Sequence, residues 1–240
     1  MTRILKRLLG LTALCFTGVT ALCFTGVASA GPFEDGMAAY QLSDFAKAAR
    51  LFRPLADQGD AAAQTLLGFM YANGEGVIAD AAEAVAWYRR AADQGNARAE
   101  FSLGFMYANG QGVPESSAEA LKWYGKAAAQ GDARAQRNLG LIYDLGEGVA
   151  EDDAAAVKWY AKAADQGHAL AQNNLGLMYA KGEGVPEDNV EAYKWMSIAA
   201  AQGTQDAEAT RATIAKKMTA AQIAEAGKLA REWQSIPRKP

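Results

Sequence analysis

Past residue 30 the sequence has no cysteine, since Cys15 and Cys23 are the only two. A chain trimmed at that point forms no disulfides in any redox compartment. Histidine is nearly missing as well, with His168 standing alone. Without thiols or a second imidazole, the usual zinc ligand sets and thiol nucleophiles have no residues to draw on. Runs of β-branched residues are few, and alanine supplies much of the 50% hydrophobic composition. Such a composition suits closely packed helices better than sheets. An excess of basic charge is also lacking. Arg3, Lys6 and Arg7 are the basic residues of the first thirty, which leaves 21 of the 24 to face all 27 acids, a net charge near −6. That balance speaks against nucleic acid as a partner, because nucleic-acid binders need a basic footprint to displace counterions.

The first thirty residues have their own pattern. Arg3, Lys6 and Arg7 precede an uncharged apolar run from Leu8 to Val27, and Ala28-Ser29-Ala30 follows. A basic start, an apolar run and a small-residue site are the three parts of a secretory signal peptide, with cleavage expected between Ala30 and Gly31. A periplasmic or secreted location then follows, with no membrane as partner once the leader is gone. The run carries a tandem copy of TALCFTGV, at Thr12 and Thr20, which brings it to about the length of a membrane span. An uncleaved inner-membrane anchor is therefore the alternative. Leu14 and Leu22 precede the cysteines where lipid attachment needs a small residue.

What is present beyond the leader is a repeat. LGFMYANGEGV from Leu67 returns as LGFMYANGQGV from Leu103, LGLIYDLGEGV from Leu139 and LGLMYAKGEGV from Leu175. Trp87, Trp123, Trp159 and Trp195 keep the same interval of 36 residues, as do Gly95, Gly131, Gly167 and Gly203. A fixed period held without insertions means an array of one supersecondary unit.

Within the unit, Asp60 is placed to cap a first helix, and Ala63, Leu67 and Tyr71 form its buried stripe. Gly68 lies inside that helix, where glycine costs about 1 kcal/mol relative to alanine. A bulky neighbour pressing on the backbone, with Trp87 the candidate, accounts for its return in every unit. Gly74 and Gly76 end the helix, one of them at positive φ. Their Gly-x-Gly spacing has no strand before it and no Gly-Lys-Ser/Thr after it, so it is a hinge rather than a phosphate loop. A second helix opens with a capping box, Asp80 with Glu83, repeated as Ser116 with Glu119 and Asp188 with Glu191. Only the third unit lacks the acid, having Ala155. Ala84, Trp87, Tyr88, Ala91 and Ala92 give this helix one wide apolar face.

The phrase AxxxLGxxYxxGxGV…A…WYxKAAxxG resembles the Sel-one-like repeat family, relatives of the tetratricopeptide repeat, over residues 60–203. The resemblance implies an all-α protein, an α/α superhelical solenoid of antiparallel helix hairpins with a concave inner surface. It also implies a role in scaffolding protein assemblies. Four full units are expected, after a divergent unit over 31–59 and before capping helices over 204–236. A disordered tail is expected at 237–240. In the opening unit Leu51 takes the Trp place and Phe52 the Tyr place, and Pro54 is expected to kink or loosen the helix. Met196 replaces the tyrosine of the last unit. Asp206 to Met218 reads as one helix, and Thr219 with Gln222 as the capping box of another ending about Ser235.

Chemistry is scarce. His168 stands at the cap position of the fourth unit and is expected to be an exposed helix-start residue. The acids at Glu151-Asp152-Asp153 and Glu187-Asp188 lie at helix starts and lack calcium-loop spacing. β-Lactam hydrolysis has been linked to some relatives, yet neither Ser-x-x-Lys nor Lys-Thr-Gly occurs. The expectation is no enzyme, no metal and no cofactor, with a cell-wall or β-lactam hydrolase as the alternative. Arg90, Lys122, Lys126, Lys158, Lys162 and Lys194 read as a solvated outer face. Recognition is expected where the units differ, at Arg98, Phe101, Phe105, Arg134, Arg137, Asn138, Asn173 and Asn174 on the first helices. Arg and aromatic residues there suit a protein or peptide partner held on the concave face.

Overall fold

The computed structural model describes residues 31–236. The leader with its two cysteines, the cleavage site at Ala30 and the tail over 237–240 lie outside the described residues. The described chain is helical throughout. The opening pair is α1 (Pro32–Gln41) and α2 (Phe45–Asp57). Four hairpins follow: α3 (Ala61–Asn73) with α4 (Ala81–Asp93), α5 (Ala97–Ala108) with α6 (Ser117–Ala129), α7 (Ala133–Leu145) with α8 (Asp153–Asp165), and α9 (Ala169–Lys181) with α10 (Asn189–Ala201). Helices α11 (Ala207–Ala215) and α12 (Ala220–Ser235) close the array. From α1 to α11 each helix packs on the next, and both α11 and α12 pack on α10.

Each first helix is fixed at its start by a side-chain acceptor. Asp60, Asn96 and Asp132 accept from the backbone N–H of Ala63, Ala99 and Ala135. His168 does the same through Nδ1, at 3.3 Å from the Ala171 nitrogen. It is half-buried rather than exposed, because the cap draws the ring against the chain. The expected stripe is in place, with Ala63 and Leu67 buried and Tyr71 half-buried, and Met70 joins it. The bulky neighbour of Gly68 is Tyr88 and not Trp87: a β-carbon added at Gly68 would lie 2.7 Å from Tyr88 Cδ1. Tyr124 and Tyr160 bear on Gly104 and Gly140 in the same way, and Phe52 bears on Gly36. Met196 makes a looser contact with Gly176. Trp87 faces the other way, into the apolar cluster shared with α2 and α3.

Both hinge glycines take positive φ, +72° at Gly74 and +71° at Gly76. The second one joins units. A β-carbon on Gly76 would sit 2.2 Å from the Phe45 carbonyl carbon, and one on Gly112 2.2 Å from the Ala81 oxygen. Gly148 and Gly184 meet Ser117 and Asp153 at 2.4 and 2.3 Å. Each loop thus rests on the start of the preceding unit's second helix, an approach open only to glycine.

The second helices carry half of the expected capping box. Asp80 accepts from the N–H of Ala82 and Glu83, Ser116 from Glu119 and Asp188 from Val190 and Glu191. The acids do not turn back to the cap. Glu119 accepts from the Trp123 indole N–H at 2.9 Å and Glu191 from Trp195 at 3.0 Å. An acid at the third helical position is also four residues before the tryptophan, on the same face, so a buried indole N–H can take it as acceptor; in the first hairpin Glu83 makes no such bond and the Trp87 indole N–H is buried without a hydrogen-bond partner. Where Ala155 replaces the acid, Trp159 is only half-buried. Helix α12 does form the full box, between Thr219 and Gln222. Of the cations expected on a solvated face, Arg90, Lys122, Lys126, Lys158 and Lys162 are exposed and Lys194 is half-buried, and Arg90, Lys126, Lys162 and Lys194 also lie within 4.5 Å of the ring centres of Trp87, Trp123, Trp159 and Trp195.

At the ends, α2 runs through Pro54 to Asp57, and the Gln58 N–H returns to the Pro54 carbonyl. The helix expected from Asp206 to Met218 stops at Ala215. Trp233 of α12 meets Trp195 edge-on at 5.5 Å, closing the last apolar cluster.

A buried polar ladder also crosses the units. Gln64, Gln136 and Gln172 each donate to a carbonyl of the preceding second helix, at Ala56, Ala128 and Ala164. Each accepts in turn from Gln94, Gln166 or Gln202. In the second unit the residue is Glu100, 3% exposed, which accepts from Gln130 at 2.7 Å. Burial raises its pKa above the usual carboxylate value, against the opposing pull of Gln130 and Lys126. An ionised carboxylate cannot donate to Ala92, the carbonyl its register faces. The folded state therefore holds this proton more tightly than the unfolded chain, and the stability tied to it is present below the unfolded pKa and lost as pH rises through the folded one. Glu100→Gln is expected to stabilise the protein by about 1 kcal/mol at pH 7, and by less near pH 4, in urea denaturation at the two pH values. An equal gain at both would contradict this reading.

Candidate protein-binding face

The first helices α3, α5, α7 and α9 turn their constant residues towards their neighbours, and the variable positions are left on the opposite face. Two cavities open there. One, of about 440 Å³, lies between α3 and α5 and is lined by Phe69, Tyr88, Arg98, Phe101, Phe105 and Arg134 among others. The second, of about 610 Å³, lies between α5 and α7, with Phe105, Tyr124, Arg137, Asn138, Leu141 and Glu147 in its wall. Phe105 belongs to both and is 42% exposed.

The eight expected residues divide by what holds them. Arg98 is exposed and forms no ion pair among the described residues. Arg134 is held at both ends, its guanidinium 4.2 Å above the Phe101 ring and 2.6 Å from the Asp132 carboxylate. Arg137 donates to Asn138 at 3.2 Å, while its Nε is buried without a hydrogen-bond partner. Asn138 and Asn174 have structural duties. The tyrosine that bears on each helical glycine passes between two first helices, and its phenol is drawn towards a lower pKa by Ser102 at Tyr88, by Asn138 at Tyr124 and by Asn174 at Tyr160. Asn173 is half-buried on α9 and lines neither cavity.

The titratable groups of the face are mostly buried phenols. Burial pushes the phenols of Tyr88 and Tyr124 up to about 12, with Ser102 and Asn138 pulling the other way. Burial and the Asp144 carboxylate, which accepts from Tyr160 at 2.9 Å, raise Tyr160 as well. These hydroxyls stay neutral and serve as hydrogen-bonding groups. His168, the one imidazole, has its pKa lowered by burial and then by Arg137, and its Nδ1 is occupied by the cap. The walls of the two cavities present aromatic and aliphatic side chains, guanidinium groups and amides, with the carboxylates of Glu115 and Glu147 in the second.

Reading single residues misses part of the face. Phe69, Leu141 and Leu177 share the register of Phe105, so an apolar position recurs in every unit. That ladder was visible as a period, but each member alone reads as part of the helix core.

Paired helices stacked at a fixed interval, with cavities between successive first helices, define a helical-repeat solenoid. The chain belongs to the Sel1 repeat family, whose model matches residues 33–60, 61–96, 97–132, 133–168 and 169–204. The divergent opening pair is thus a fifth copy. A Sel1 repeat protein from Oxalobacter formigenes is similar in structure, with 32% identity, a TM-score of 0.74, and coverage of 85% of this chain and 83% of that one. A protective antigen of uropathogenic Escherichia coli displaying an SLR fold is similar at 30% identity and a TM-score of 0.51, over 82% of this chain and 53% of that one. No curated protein matches the sequence. Sel1 repeat proteins are in general protein-interaction scaffolds.

Proposed function

We propose that the protein is a non-catalytic scaffold of the bacterial cell envelope that binds a protein or peptide along the face of its first helices. One observation carries the reading: two cavities meet at an exposed phenylalanine, on the one face that the repeat leaves variable. Constant positions such as Asp60, Leu67, Gly68 and Gly76 are engaged in capping or stacking, so recognition falls to the rest. Aromatic and arginine side chains around such cavities are the types that anchor protein interfaces. Placement in the envelope rests on the basic, apolar and small-residue succession of the leader, and cleavage after Ala30 frees the array from the membrane.

A photo-cross-linking amino acid at Phe105 in living cells is expected to capture a discrete protein, whereas the same group at Lys158, on a second helix, captures none. Equal yields from the two positions would remove the first-helix face from consideration. N-terminal sequencing of the protein from cells is expected to begin at Gly31, and a start at Met1 or Thr2 would assign it to the membrane through a retained leader.

A further inference from the structure

The cavity between α3 and α5 differs in charge from the chain around it. Past residue 30 the sequence carries a net charge near −6, yet this cavity is lined by Arg98 and Arg134 and by no carboxylate. Four aromatic residues, Phe69, Tyr88, Phe101 and Phe105, share its remaining wall with the uncharged polar side chains of Asn73, Ser102 and Gln111. Asp132 takes both Nε and Nη2 of Arg134, which leaves that guanidinium anchored and partly neutralised. Arg98 has no such partner. A guanidinium presents a planar fork of donors that fits a carboxylate through two parallel hydrogen bonds. Beside aromatic side chains the local dielectric is below that of open solvent, and such a pair gains strength. The second cavity is different, because Glu115 and Glu147 stand in its wall with Arg137.

We infer that the α3–α5 cavity receives an aromatic or large aliphatic side chain of an internal partner segment, with a neighbouring aspartate or glutamate of that segment paired to Arg98. This rests on the scaffold reading and adds the chemistry of the partner. Phe105 is the wall between the two cavities, so a segment seated in the first continues into the second, which favours a chain interior over a chain end. The opposite charges fix its direction: the acidic part lies at Arg98, and a neutral or basic part lies beside Glu115 and Glu147.

The test is selection of short random peptides, displayed on phage with their C-termini fused, against the purified protein. Enriched sequences are expected to place Asp or Glu next to Phe, Tyr, Trp or Leu. A synthetic peptide of the best sequence, amidated at its C-terminus, is then measured by fluorescence anisotropy. Arg98→Glu is expected to weaken it at least about tenfold and added salt to weaken it further, while Arg98→Lys keeps part of the affinity. Phe105→Ala is expected to weaken it by about the same factor. Both side chains are exposed, and an unchanged thermal transition confirms that the fold persists. Peptides that need Phe105 but bind Arg98→Glu as well as the parent overturn the acidic assignment and leave the scaffold reading standing. Binding that is lost on amidation overturns the chain-interior assignment. If no selected peptide depends on Phe105, both readings fall.

Discussion

Gly112→Ala is expected to destabilise the protein by about 3 kcal/mol or more, whereas Gly131→Ala costs about 1 kcal/mol. Both residues sit at positive φ, +71° and +94°, so the strain of placing an alanine there is common to the two. They differ in surroundings. Nothing lies within 4 Å of a β-carbon on Gly131, while one on Gly112 would meet the Ala81 backbone at 2.2 Å. No side chain can swing aside to relieve that contact, so the loop or the first turn of α4 must move. In a repeat array each unit is held by its neighbours, and this loop contact is one of those at the joint. Urea denaturation followed by far-UV circular dichroism is expected to show a much lower midpoint for Gly112→Ala, with the single transition broadened or divided. Similar midpoints for the two variants would show that the loop has room to yield.

Tyr160→Ala is expected to cost about 3–5 kcal/mol, the range for removing a large buried ring. Tyr160 is fully buried, bears on Gly140 and donates to Asp144 at 2.9 Å. The last unit shows a milder replacement, since Met196 fills the same place against Gly176 with 3.1 Å to the nearest side-chain atom where Tyr160 leaves 2.5 Å. Tyr160→Met is accordingly expected to lose about half as much, and Gly140→Ala to be better tolerated with methionine at 160 than with tyrosine. A double-mutant cycle of Gly140→Ala and Tyr160→Met should show a coupling of about 1–2 kcal/mol. Additive effects would mean that the glycine is kept for another reason.

How much of this was legible in the sequence depends on the kind of contact. Helix positions, caps at Asp60 and Asp80, and the hinge at Gly74 follow from local chemistry, and they stand where the spacing puts them. Contacts between helices were harder. Trp87 and Tyr88 are adjacent, and their side chains point about 100° apart on the helix, so only packing decides which one meets Gly68. The acid at Glu119 serves a cap or an indole from the same position, and the buried N–H of Trp123 decides. Glu100 hid a ladder because a buried polar residue has no hydropathic signature, although Gln64, Gln136 and Gln172 announce it by period. On the candidate face, Arg98 was legible as a departure from the repeat, and Phe105 as a member of the apolar register with Phe69, Leu141 and Leu177. The duties of Asn138 and Asn174 towards tyrosine hydroxyls were not, because they depend on a residue contributed by the preceding unit.

The same division explains why the repeated phrase gives no lead to a ligand. Gly68 admits a tyrosine ring, Gly74 ends a helix and Gly76 rests on the neighbouring unit, so all three are used by the stack. Recognition is left to positions that packing does not fix. Amide hydrogen exchange of Gly112→Ala tests this use of the phrase most directly. Protection is expected to fall on both sides of the joint, at the start of α4 and along α5, while α9 and α10 keep theirs. Loss confined to the loop itself, with α4 unchanged, would contradict it.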